Sequence, residues 1–253
     1  MFLRVATMAA LLFAPFYAQA PAKSDPAAAL PDAREIINRH IKAVGGREAI
    51  LRHKSIHARG TLSIPTSGIS GPIEVFSATN PDRMVVKTTV PGIGEIIEGF
   101  DGSHAWSLSS ITGPTLKVGK ELSQTKLDAD FYGELRDPKK YPTVKTLEKT
   151  TFDGRPCYKV AVTRIDGSED IDFYDVATGL RAGSIHTRES QMGTLTTTST
   201  EGDYKKFGSL LHATKVTQKV MGVEQIITLE KLEYDKVDAS AFAPPPAIKA
   251  LIK

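Results

Sequence analysis

The sequence has one cysteine, Cys157, one tryptophan, Trp106, and no apolar run of membrane-spanning length after its first twenty residues. A single cysteine excludes an intrachain disulfide, so stability has to come from the core. In an oxidising compartment a lone thiol needs burial, and the alternating apolar strand around Cys157 predicts a buried, inert side chain. Charge of one sign is also lacking. The net charge of +3, or +2 without Arg4, offers no electrostatic footprint for nucleic acid.

Catalytic signatures are missing too. Gly-x-Ser-x-Gly does not occur, and Ser67-Gly68-Ile69-Ser70-Gly71 reads as a flexible hairpin tip. His-Glu-x-x-His is absent. Of the six histidines only His53 and His57 stand four apart, and they straddle an expected helix-to-strand boundary with no third donor nearby. Asp166, Ser168, Asp170 and Asp172 alternate like the first half of a calcium loop. Ile171 stands where that loop needs Gly, however, and Ala177 where it needs Glu. These acids read as the solvated face of a hairpin. No Gly-rich loop leads from a strand into a helix, so a nucleotide site has no support. The chain reads as a non-enzyme, with no catalytic residue, metal site or cofactor to name.

What is present begins with export. Arg4, the apolar stretch from Val5 to Tyr17 and the small-x-small site Ala18-Gln19-Ala20 make a signal peptide, cleaved after Ala20. The apolar stretch is too short to span a bilayer, and no Cys near the cut could carry an acyl anchor. The expected organisation is a leader over 1–20, a Pro/Ala tether over 21–31 and one domain over 32–253, periplasmic and without a transmembrane segment once mature.

Asp32 and Glu35 form a capping box opening a helix that carries Ile37, Ile41 and Val44 on one face and ends at Gly45-Gly46. A short helix over 47–53 follows. From Ser55 the apolar period becomes two. Strands are expected over 55–64, 71–78, 83–90, 94–100 and 104–109, then over 143–152, 156–165, 169–176, 180–189, 193–201, 210–221 and 224–234. Asp153-Gly154, Asp166-Gly167 and Thr178-Gly179 are hairpin turns, and 110–119 reads as a connection. Phe242 to Pro246 reads as a closing strap. Without βαβ alternation the fold class is mainly β (α+β), one large curved antiparallel sheet.

Between the two runs of strands, 120–136 reads as a helix with Leu127, Phe131 and Leu135 on one face and Lys126, Asp130 and Glu134 in water. It is placed to act as a lid over the sheet. One helix cannot cover the whole inner face, which side chains or a ligand must fill. Met84, Trp106, Leu127, Phe131, Leu135, Phe173 and Met221 are the candidate cavity-lining residues.

The layout resembles bacterial envelope proteins related to the outer-membrane lipoprotein-sorting and lipoprotein-carrier (LolA/LolB-like) family. Carrying the likeness are the helix from Ile36 to Ile50, the strand Ile56-His57-Ala58-Arg59-Gly60, and Gly99-Phe100-Asp101-Gly102 leading to Trp106. Phe173-Tyr174-Asp175 leading to Thr178-Gly179-Leu180, and Asp238 leading to Phe242 and Pro244-Pro245, complete it. The similarity spans about residues 33 to 246. It implies an open, unclosed β-barrel whose helices form a lid over an apolar cavity. The implied partners are lipid or acylated lipoprotein cargo, together with outer- or inner-membrane machinery. In the dedicated carrier, basic residues near the lid hold the closed state, and no matching Arg stands out here. The alternative is an envelope interaction or stress-sensing domain with a filled core and no cargo.

Overall fold

The computed structural model describes residues 29–190 and 193–252. The predicted leader and the tether up to residue 28 lie outside the described residues.

The chain enters through α1 (Ala33–Ala43), where the Asp32 carboxylate accepts a 2.8 Å hydrogen bond from the Arg34 amide. That is the expected cap, satisfying an amide the helix cannot. Ile36, Ile37 and Ile41 form its buried face. At Gly45 (φ +130°) the chain turns into α2 (Arg47–Arg52), passing the Ser209 carbonyl so closely that a Cβ would lie 2.6 Å from its oxygen.

The strands then run as a meander. The first six are β1 (Ser55–Ile64), β2 (Ile69–Ala78), β3 (Arg83–Val90), β4 (Gly94–Phe100), β5 (Ala105–Ser109) and β6 (Gly113–Lys117). After α3 (Gly119–Asp128) come β7 (Thr143–Phe152), β8 (Arg155–Thr163), β9 (Glu169–Asp175), β10 (Arg181–Ser190) and β11 (Gly193–Gly202). A small hairpin, β12 (Lys205–Phe207) with β13 (Leu210–His212), precedes β14 (Lys215–Val220) and β15 (Val223–Tyr234). All but that hairpin join one 13-stranded sheet in the order β6-β5-β4-β3-β2-β1-β15-β14-β11-β10-β9-β8-β7. Every pairing is antiparallel, and the sheet ends on two free edges without closing. The mainly-β, open-sheet expectation holds.

Strand parity sorts residues to two faces. The inner face, toward α1 and α3, carries Tyr158, Val160, Val162 and Tyr174 against Ile36, Ile37 and Ile41. The outer face carries Phe76, Val85, Ile97 and Trp106 under a C-terminal strap. Phe242 and Ile248 of that strap, the latter on α4 (Pro246–Lys249), are fully buried on it. Trp106 is 0% exposed, its ring lying where a Cβ on Gly99 would come within 2.3 Å, so only glycine fits there.

Three elements differ from expectation. The 110–119 connection contains β6, which extends the sheet edge. The strand expected over 210–221 breaks at Ala213-Thr214 because β13 folds back on β12. The helix expected over 120–136 stops at Asp128, and a 3-10 turn, Gly133–Leu135, follows a non-helical step. Its physical cause is Asp130, whose carboxylate turns inward to Lys140 (2.6 Å) and the Tyr141 hydroxyl (3.3 Å) instead of facing water.

Candidate functional site

The inner face holds two adjoining pockets of opposite character. The first, about 480 Å³, is walled by Ile56, Ala58, Val75, Met84, Leu229 and Leu232 of the sheet. Val44 and Ile50 close it from the helices, Leu210 and Leu211 from the β12–β13 hairpin, and Phe131 from the segment after α3. The Leu211 amide donates to the Val44 carbonyl at 2.8 Å, tying hairpin to helix at that end. Polar side chains line it too, among them Asp130, Glu134, Arg181, Glu201 and Tyr204. His53 stacks on Tyr234 at 3.8 Å and bonds Asp235 at 2.8 Å, and His212 bonds the Tyr234 hydroxyl at 2.6 Å. Burial lowers the His212 pKa, favouring the neutral ring, and raises that of Tyr234 to about 12.

The second pocket, about 340 Å³, is lined by charge. Arg164 reaches Asp128 at 2.6 Å and the Gln124 carbonyl at 3.0 Å, and Arg188 bridges Asp128 (3.1 Å) and Asp170 (2.7 Å). Arg136 grips Asp172 at 2.6 Å, and Asp172 also accepts from the Tyr174 hydroxyl at 3.1 Å. Glu134 pairs with His40 of α1. Arg181 binds Glu201 at 2.8 Å and, with Glu134, borders both pockets. Burial pushes the Asp172 carboxyl upward, but Arg136 and Arg181 outweigh it and hold the group below its ordinary value. Glu134 is held well below its own, burial being overcome by Arg181 and His40.

This network corrects two expectations. Asp170 and Asp172 are not a solvated hairpin face; both are buried as ion-pair anchors, Asp172 at 1% exposure. Glu134, expected in water, pairs with His40 instead. Arg164 and Arg188 also join the end of α3 to the sheet. Neither was legible, because their partner Asp128 is 36 and 60 residues away along the chain.

Of the predicted cavity residues, Met84 and Phe131 line the apolar pocket and Leu127 the charged one. Leu135 is core between α1 and the sheet. Trp106 is on the opposite face, under the strap. Phe173 is also on that face, stacked on Phe152 at 3.9 Å beside Cys157. Met221 sits at the β14–β15 hairpin tip, 72% exposed. The groups that sequence reasoning missed, Ala58, Val75, Leu229 and Leu232, are ordinary strand residues with no local signal. Cys157 is buried, and burial raises its thiol pKa as expected of an inert cysteine. His53 faces the apolar pocket, whereas His57 stacks on Phe76 of the outer face at 4.3 Å. Among the described residues no group of three His, Cys, Asp or Glu side chains could hold a metal ion. No helix among them is long and apolar enough to cross a membrane.

No protein-family profile and no curated protein matches the sequence. Solved structures do match. A DUF1329 family protein from Desulfovibrio piger superposes with a TM-score of 0.57 at 12% identity, covering 85% of this chain and 98% of that one. A LolA superfamily protein from Nitrosomonas europaea gives 0.55 at 14%, covering 85% and 99%. A putative outer membrane lipoprotein-sorting protein domain from Vibrio parahaemolyticus gives 0.51 at 13%, covering 83% and 95%. At this identity the likeness speaks for architecture: the open antiparallel sheet with helices on its inner face is the LolA-like fold.

Proposed function

We propose that this chain is a non-enzymatic periplasmic carrier that holds a lipid, or the acyl chains of a lipoprotein, in the apolar half of its inner-face groove. The observation that carries this reading is the pocket of about 480 Å³ walled by Ile56, Ala58, Val75, Met84, Phe131 and Leu232. A pocket of that size falls in the usual range for small-molecule sites, and the polar side chains in its lining, among them His53, His212, Arg181 and Glu201, could meet a headgroup. Each methylene moved from water into it contributes about 0.8 kcal/mol before ordering costs. The shared architecture with a lipoprotein-sorting domain supports the same class of cargo. Delivery to outer-membrane machinery after export and leader cleavage completes the proposal.

Native mass spectrometry of protein purified from its own envelope without detergent tests it. Bound lipid is the expected result. Lipid-free protein that also fails to take up a fluorescent fatty acid contradicts it. A second reading, an interaction or stress-sensing domain without cargo, draws on the other half of the groove, which ion pairs occupy. Under that reading the apolar pocket stays empty in the same experiment.

A further inference from the structure

The hairpins of the meander alternate between two rims of the sheet, and the two rims differ in charge. Over the eight adjacent strands from β6 to β14, one rim carries the tips β1–β2, β3–β4, β5–β6 and β14–β15. Residues 60–73, 88–94, 105–116 and 220–223, which run through those tips, contain no Asp, Glu, Lys, Arg or His. The opposite rim of the same strands carries Asp82, Arg83, Asp101, His104, Lys215, Asp235 and Lys236 at its turns and strand ends.

The uncharged tips expose large apolar side chains among small hydroxyl residues such as Thr66, Ser67, Ser110 and Thr112. Ile111 is 71% exposed and Met221 72%; Pro65 and Pro91 are exposed at neighbouring tips. Met221 also sits in a left-handed conformation (φ +51°). Asn and Asp tolerate that conformation best after glycine. The protein follows this preference on the other rim, where the left-handed residues other than glycine include Asn80, Asp153, Asp203 and Asp235. An exposed methionine in that role opposes both local conformation and solvation. The inner face leading to this rim is apolar as well. On β1 and β2, Leu62, Ile64 and Ile73 share the parity of Ala58 and Val75 in the pocket wall. The far end of the pocket, by contrast, is closed by the contact of α1 with the β12–β13 hairpin.

From this asymmetry we infer that the uncharged rim docks on a lipid bilayer, burying the tips around Ile111, Met221, Pro65 and Pro91 in the interfacial region. A bilayer is the occupant that the lack of charge favours, because the tips themselves carry no ionised group to desolvate; the nearest, Glu95 and the Lys219–Glu224 pair, lie one residue back along the strands. A protein partner would ordinarily be met by a polar rim around an apolar centre, and these tips have no charged residue between them. The inference concerns the surface only and stands whatever the pocket holds.

Flotation of the mature chain with neutral phosphatidylcholine vesicles tests it. The wild type floats with the vesicles, equally at low and high salt, since no charge carries the contact. The double variant Ile111→Asp, Met221→Asp loses at least tenfold in bound fraction. Both sites are exposed, and Asp suits the left-handed position, so folding is preserved. Uptake of a soluble fluorescent fatty acid by this variant stays at the wild-type level, which separates docking from cargo binding. Lys206→Glu, on the opposite rim, floats like the wild type. Failure of the wild type to float, undiminished flotation of the double variant, or flotation only with anionic vesicles at low salt overturns the inference. Self-association through these tips without vesicle binding overturns it as well.

Discussion

Arg136 and Asp172 face each other across the inner groove at 2.6 Å, with Asp172 almost wholly removed from water. A buried pair of this kind is worth little net, yet removing one partner strands a charge. Arg136→Met should therefore cost about 3–5 kcal/mol, and pairing it with Asp172→Leu should recover most of the loss. Chemical denaturation of both variants checks this; equal stability of the single and double variants contradicts it. The same carboxylates set a pH dependence. Asp128, Glu134 and Asp172 all have pKa values lowered in the folded state. The unfolded chain binds their protons near the ordinary value of about 4, so their stabilisation is complete above that value. It is lost as pH falls through the lower folded values. The urea midpoint should thus drop steeply from about pH 5 to pH 3, and a flat profile there contradicts the ion-pair account. Residue identity alone disclosed little of this. Alternation in β5 and β9 told which residues share a face with Trp106 and Phe173, but not which face is inner. Both faces are covered at those positions, so hydrophobicity does not separate them.

On the carrier proposal, the element that would govern access is α3 with the turn after it. It is joined to β10 by polar contacts: Gln124 accepts from the Glu189 amide at 2.9 Å, Lys120 meets Glu189 at 3.0 Å, and Asp128 meets Arg188. Few apolar contacts back them, with Leu122 against Phe100 and Ala129 as the main packing. Amides of Gly119–Asp128 should exchange faster than those of β8, which is paired on both sides, and should gain protection when a fatty acid is added. Equal protection of the two segments, unmoved by lipid, would make α3 plain core. Most strands were legible because their Asp-Gly and Pro-Gly turns and period-two runs are local signals. The end of α3 was not, since an i, i+4 count of Leu127, Phe131 and Leu135 takes no account of Lys140 pulling Asp130 inward. β6 was hidden because Gly113-Pro114 reads as a break, while at a sheet edge a proline costs no ladder hydrogen bond.

At the scale of the molecule, two meanders joined through β1 and β15 make one open sheet with a strap over part of its outer face and a groove inside. The groove is divided along its length: ion pairs fill the part over β8–β10, and apolar strand residues with an unfilled volume between them wall the part over β1–β3 and β14–β15. The central claim is that this volume is a cargo site. Ala58 lies at its wall, paired with Val75 and Leu232. Ala58→Phe should fill the pocket without adding charge or touching the ion pairs. Titration of the wild type and of Ala58→Phe with a fluorescent fatty acid is the most direct test. The account predicts saturable one-site binding by the wild type and at least tenfold weaker binding by a folded Ala58→Phe variant. Equal affinity in the two proteins, or no binding by either, would contradict it.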